Sequence, residues 1–150
     1  MARFVFSLQN LLDIKEKIEE QEKNNYSQAN LRLQEAVEEL EYLKSRHLDA
    51  QMMLREVMRE VLDVQQIRSR EEAVDILQMF VDSQQQVVYQ RERELDEARE
   101  RLNEAMKERK TFEKLKEKAF EEFMIEENRR EQKEIDELVS YRFGSGVVPE

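Results

Sequence analysis

Between Met1 and Phe143 the chain contains neither glycine nor proline; Gly144, Gly146 and Pro149 stand together at its end. Nothing in that span forces the backbone out of a helix, and nothing supplies a positive φ without steric cost. Charged residues make up 40% of the chain, so most side chains must stay in water. This is the composition of long helices or coiled coil, in which one narrow apolar stripe per helix cannot line a core of ordinary size.

The period of the apolar residues decides between the two. Stepping alternately by 3 and 4 from Leu33 gives Ala36, Leu40, Leu43, His47, Ala50, Leu54, Val57, Val61 and Val64. All but His47 are apolar, and a period of 3.5 winds helices left-handedly around each other. Before Leu33, Leu11, Ile14 and Ile18 carry the seam. Gln21, Asn25 and Tyr26 then bridge to Ala29, which implies a polar interval or a stutter. The second half follows the same rhythm through Leu77, Val81, Gln84, Val88, Arg91, Leu95, Ala98, Leu102, Ala105, Arg109 and Phe112. It then drifts through Leu115, Ala119 and Phe123 to Ile135 and Leu138.

A helix that folds back supplies its own partner. Ser69 followed by Glu72 has capping-box spacing near the midpoint, which places a turn within Gln65 to Arg70. The expected fold is all-α, a long two-helix antiparallel coiled-coil hairpin over residues 1–143. Arm 1 would occupy about 5–65 and arm 2 about 70–142, each near 100 Å at 1.5 Å per residue. Residues 144–150 would form a flexible tail.

The same composition excludes most chemistry. Without cysteine there is no disulfide, thiolate metal site or cysteine nucleophile. A single histidine, His47, has no second ligand in helical reach, and no glycine loop exists to hold a phosphate. Carboxylate pairs such as Glu121/Glu122 repeat along a charged helix surface, where no cleft raises a pKa. The expectation is a protein without enzymatic activity, cofactor or metal. The three apolar residues after Arg3 are too few for a signal-peptide core, and no apolar run approaches the roughly 20 residues of a membrane span.

Two clusters need separate weighing. Leu48, Met52, Met53, Met58, Leu62, Ile76, Met79 and Phe80 flank the expected turn. They would form either a thicker core there or an adaptable hydrophobic patch. The stretch "RKTFEKLKEK", Arg109 to Lys118, is a basic island in a chain of net charge −10. Interleaved glutamates and the acidic residues that follow argue against nucleic acid or a membrane foot. A solvated face laced with pairs such as Lys110–Glu113 and Lys118–Glu122 is the plainer reading. Phe112 and Leu115 would belong to the seam.

Both ends carry a further pattern. The start "FVFSLQNLLDIKEKIEEQE" and the end "RKTFEKLKEKAFEEFMIEENRREQKEIDEL" together resemble the flagellar FliJ family. The matching residues are Phe4, Phe6, Leu8, Leu11, Leu12, Ile14 and Lys15, then Arg109, Lys110, Glu113, Lys114 and Leu115, then Glu131, Lys133, Asp136 and Glu137. The resemblance implies a stalk-like hairpin of the flagellar type III export apparatus, cytoplasmic and peripheral to the membrane at the flagellar base. It implies binding to the ring of the export ATPase, FliI, to the membrane export gate, FlhA, and to export chaperones, with no cofactor.

Carried onto this chain, the ATPase-facing residues would be Phe4, Leu8, Leu11, Lys15, Arg109, Lys114, Glu131, Lys133, Asp136, Glu137 and Leu138. The gate-facing strip would comprise Leu43 and Phe80 with Arg46, Ala50 and Val87. A parallel coiled-coil tether, or a holdase gripping unfolded clients through its methionines, are the alternatives that the residues leave open.

Overall fold

The computed structural model describes residues 2–60 and 63–144. It consists of two long helices packed against each other, α1 (Gln9–Glu60) and α2 (Val64–Gly144), with no strand among the described residues. The all-α helical hairpin expected from the apolar period is therefore the architecture.

α1 starts after a non-helical lead, where the Gln9 amide donates to the carbonyl of Phe6 at 3.1 Å. α2 begins earlier than expected. Asp63 caps it: its side-chain oxygen accepts from the Gln65 amide at 3.0 Å, and its carbonyl accepts from the Ile67 amide at 3.1 Å. Gln65 to Arg70, expected as the turn, are helical, because an aspartate at the N-cap satisfies orphan amides and Ser69 has none to serve. Val61 and Leu62 lie outside the described residues. Gly144 closes α2, and the rest of the expected tail is likewise outside.

The packing divides into two units, Met1–Glu19 with Ala105–Glu150, and Glu20–Glu104. In the second unit, segments of α1 and α2 pair so that residue numbers rise along one as they fall along the other. Ala29 packs with Leu95 and Ala98, flanked by Tyr26 and Leu33. Ala36 and Leu40 pack with Val88, flanked by Val37, Val81 and Val87. Small residues dominate because two helices alone approach closely and leave no interior for bulk; Ala98 is 1% exposed. Gln84, the polar interruption, donates its side-chain amide to the Ala36 carbonyl at 3.0 Å, which ties this register to one partner position.

Every seam residue from Leu33 to Val57 is buried or half-buried, as is every one from Leu77 to Phe112. Val64, expected at the end of the first seam, is exposed, since it opens α2 instead.

The stutter expected near Gln21 is not needed. In the seam before Leu33, Leu8, Leu12, Lys15, Glu19, Glu22, Tyr26 and Ala29 keep the 3–4 rhythm unbroken, and each is buried or half-buried. Leu11, Ile14 and Ile18, expected to carry it, are 43%, 50% and 40% exposed. Leu12, one residue on, is 3% exposed. The correct register is thus displaced by one, and two charged residues, Lys15 and Glu19, sit where Ile14 and Ile18 were expected.

Candidate functional site

The unit built from both ends of the chain holds most of the residues singled out by the resemblance. Phe4 lies edge-on to Phe120, with ring centroids 5.3 Å apart, and tilted against Phe123 at 5.5 Å. Phe6 is buried and Leu8 half-buried, so the non-helical lead is anchored by its aromatic residues.

The charged interval follows. Lys15 binds Glu108 at 2.8 Å, and its ammonium lies 5.9 Å from the centre of the Phe112 ring. Arg109 pairs with Glu19 on α1 and with Glu113 at 2.8 Å on its own helix. Glu19, 5% exposed, is the buried charged residue of this core. Hydrogen bonding to Glu113 first, then to Glu19, raises the Arg109 pKa above its ordinary value. Arg109–Glu113 thus replaces the Lys110–Glu113 pairing expected for the surface, and Lys118 forms no pair with Glu122 among the described residues.

Leu115 is 43% exposed; Lys116 takes the seam position in its place and is half-buried. The expectation that Phe112 and Leu115 share the seam holds for Phe112 alone. Spacing explains it: Arg109, Phe112, Lys116, Ala119 and Phe123 keep the 3–4 rhythm, which Leu115 breaks.

Of the proposed ATPase-facing residues, Phe4, Leu8, Lys15 and Arg109 are engaged in packing or ion pairs inside this unit, whereas Leu11 and Lys114 face solvent. Glu131, Lys133, Asp136, Glu137 and Leu138 lie on a different kind of surface. From Asn128 to Gly144 every residue of α2 is exposed. Ile135, Leu138, Val139 and Phe143 nevertheless recur at helical spacing along it, an apolar stripe with charged residues on the other face.

The proposed gate-facing residues are in the other unit. Arg46 and Ala50 line a shallow groove of about 230 Å³ with Asp49, Met53, Arg70, Ala73 and Leu77. Arg70 approaches the Met53 sulfur at 3.7 Å across it. Leu43 and Val87 are half-buried, Val87 against the Ala36–Leu40–Val88 cluster, while Phe80 is exposed.

Leu48, Met52, Met53, Met58, Ile76 and Met79 are exposed as well, so they do not thicken the core near the helix break. His47 is half-buried at its seam position. Among the described residues there is no cluster of three metal-ligating side chains, and no helix is long and apolar enough to cross a membrane.

The family model described as "Flagellar FliJ protein" matches residues 4–146. The Flagellar FliJ protein of Bacillus subtilis (strain 168) is 26% identical over 140 residues, covering 93% of this chain and 95% of that protein. The solved structure of CT670 from Chlamydia trachomatis, a proposed YscO homolog, superposes with a TM-score of 0.48 at 21% identity, covering 99% of this chain and all of that one. With a family model spanning almost its full length, the chain belongs to the flagellar FliJ family.

Proposed function

We propose that this chain, a component of the flagellar export apparatus through its family, acts as a stalk for the export ATPase. The unit built from both chain ends binds the ATPase ring and promotes its assembly and turnover. The exposed groove and Phe80 in the other unit face the membrane export gate, which gives the protein a peripheral place at the flagellar base. Contact with export chaperones is a further part of this reading.

The observation that carries it is the α2 segment from Asn128 to Gly144, exposed on all sides yet bearing an apolar stripe. A helix without a packed face gains little from tertiary structure, and its apolar residues remain available to a partner. The mix of Arg129, Arg130, Glu131, Lys133, Glu134, Asp136 and Glu137 favours contacts that form and release quickly.

In a ring, a two-helix hairpin touches only some subunits at a time and biases their conformations by differential contact. Stimulated hydrolysis then comes from population shift in the ring and needs no catalytic group on the stalk. Co-purification with the flagellar export ATPase, followed by sizing of its oligomers, tests the proposal. Binding and a shift toward rings support it, and absence of both overturns it.

A further inference from the structure

α1 carries two seams. Leu12, Lys15 and Glu19 face α2, and Leu11, Ile14 and Ile18, offset by one residue, repeat the same 3–4 spacing in solvent. The usual economy is reversed: charges occupy the protected line and aliphatics the wet one. A helix with two adjacent apolar or seam-spaced lines is suited to packing against two neighbours at once, and only one is present.

The second line does not end with α1. Leu11 and Ile18 immediately precede the seam residues Leu12 and Glu19, and Leu115 immediately precedes Lys116. In an antiparallel pair, residues at these heptad positions border the same edge of the two-helix seam. Leu115 therefore belongs to the edge that Leu11, Ile14 and Ile18 line, and all four are at least 40% exposed.

The border of this edge is basic. Lys17, Lys114 and Lys118 lie within one helical turn of the aliphatics, are exposed, and form no ion pair among the described residues. Glu108, on the same edge, is engaged by Lys15, and Glu122 comes one heptad after Leu115. In a chain of net charge −10 the aliphatics of this edge are thus bordered by these lysines, with Glu104 lying before this stretch of α2 and Glu121 and Glu122 beyond Lys118.

We propose that this edge docks a third helix: an amphipathic helix of another protein, with apolar residues at heptad spacing flanked by aspartate or glutamate. A second copy of the chain fits less well. Edge-to-edge pairing would set the same lysines against each other, and each copy carries the same net −10. The occupant is defined by its chemistry, so the inference holds whether or not the ATPase reading does. With four aliphatics the contact is small, which suits a transient complex.

The test uses the full chain and two synthetic helical peptides of about four heptads, identical in their Leu/Ile positions. One is flanked by glutamate and the other by lysine. Fluorescence titration is expected to show binding of the glutamate peptide, weakening with added salt. The variant Leu11→Gln/Ile14→Gln/Ile18→Gln should weaken it at least about tenfold, equivalent to about 1.4 kcal/mol. Helix content and Tm should be unchanged, since these residues are outside the seam.

The variant Lys17→Glu/Lys114→Glu/Lys118→Glu should reverse the preference between the peptides. Three results overturn the proposal: no binding of the glutamate peptide, equal binding of both peptides, or full binding by the triple Gln variant. A concentration-dependent dimer in sedimentation, lost in that variant, would assign the edge to a second copy and equally overturn it.

Discussion

Arg109 forms an ion pair with Glu19 across the two-helix seam while holding Glu113 at 2.8 Å along its own helix. One guanidinium thus serves two carboxylates at a position where most of the seam uses Ala, Leu or Val. Its planar fork suits this double role better than a lysine could. Removing one partner weakens the compensation of a protected charge, whereas exchanging both keeps the pairing.

Arg109→Glu alone is therefore expected to lower Tm by several degrees, because Glu19, Glu113 and the new carboxylate then share one site. Combining it with Glu19→Arg should recover at least half of the loss. Thermal melts of the two single variants and the double variant measure this coupling. The contribution carries no pH dependence near neutrality. A raised arginine pKa means that the stabilisation is complete below the ordinary arginine value and is lost only as pH rises through the higher folded one. Arg109 is accordingly a structural residue first, and a charge reversal there is a poor probe of partner binding.

Leu11 and Leu12 are adjacent and chemically identical, and the fold separates them completely. Leu12→Ala should cost about 2–3 kcal/mol, the lower part of the range for buried leucines, since a two-helix seam can close partly over the gap. Leu11→Ala should stay within about 0.5 kcal/mol. Urea denaturation of the two variants decides the register at the start of α1; equal losses would contradict it.

Asp63 should matter for the start of α2, and Ser69 should not. Asp63→Ala is expected to cost about 1 kcal/mol through the lost cap. Ser69→Ala, inside the helix, should be neutral within about 0.5 kcal/mol. The comparison is made by chemical denaturation at one pH.

Much of this could be read from the residues, and the failures have definite causes. Leu33 to Val57 and Leu77 to Phe112 alternate apolar residues at 3.5 so regularly that the fold followed from them. At the N-terminus two apolar lines one residue apart compete, and hydrophobicity favours Leu11, Ile14 and Ile18. What places Lys15, Glu19 and Glu22 inward is their pairing with Glu108, Arg109 and Arg101, at 2.8 Å for Lys15 and 3.5 Å for Glu22, and residues so distant in sequence leave no local trace. The Ser69–Glu72 spacing arose without an orphan helix end to satisfy, whereas Asp63, with Gln66 three residues on, lacks the serine or threonine that marks a capping box. Leu115 lost its place to Lys116 because register, not hydrophobicity, decides which side of α2 faces inward. The segment after Asn128 leaves the packed register: 3–4 steps on from Phe123 meet Glu126, Arg130, Lys133, Glu137 and Ser140, while its apolar residues follow another line of the same helical spacing.

Residues 128–144 should be separable from the rest of the fold. Trypsin at low ratio is expected to cut first at Arg129, Arg130 and Lys133, whose side chains are exposed on an exposed helix segment. A chain ending at Asn128 should melt within a few degrees of the full-length protein, because none of its seam residues is lost. Cutting first near Arg109 instead would contradict the division between packed and exposed helix.

The stalk reading is tested most directly by turnover of the flagellar export ATPase, titrated with the full chain and with the chain ending at Asn128. The expected result is stimulation by the full chain and its loss on truncation, with the truncated chain still folded. Equal rates with the full chain, the truncated chain and no chain at all would contradict the account.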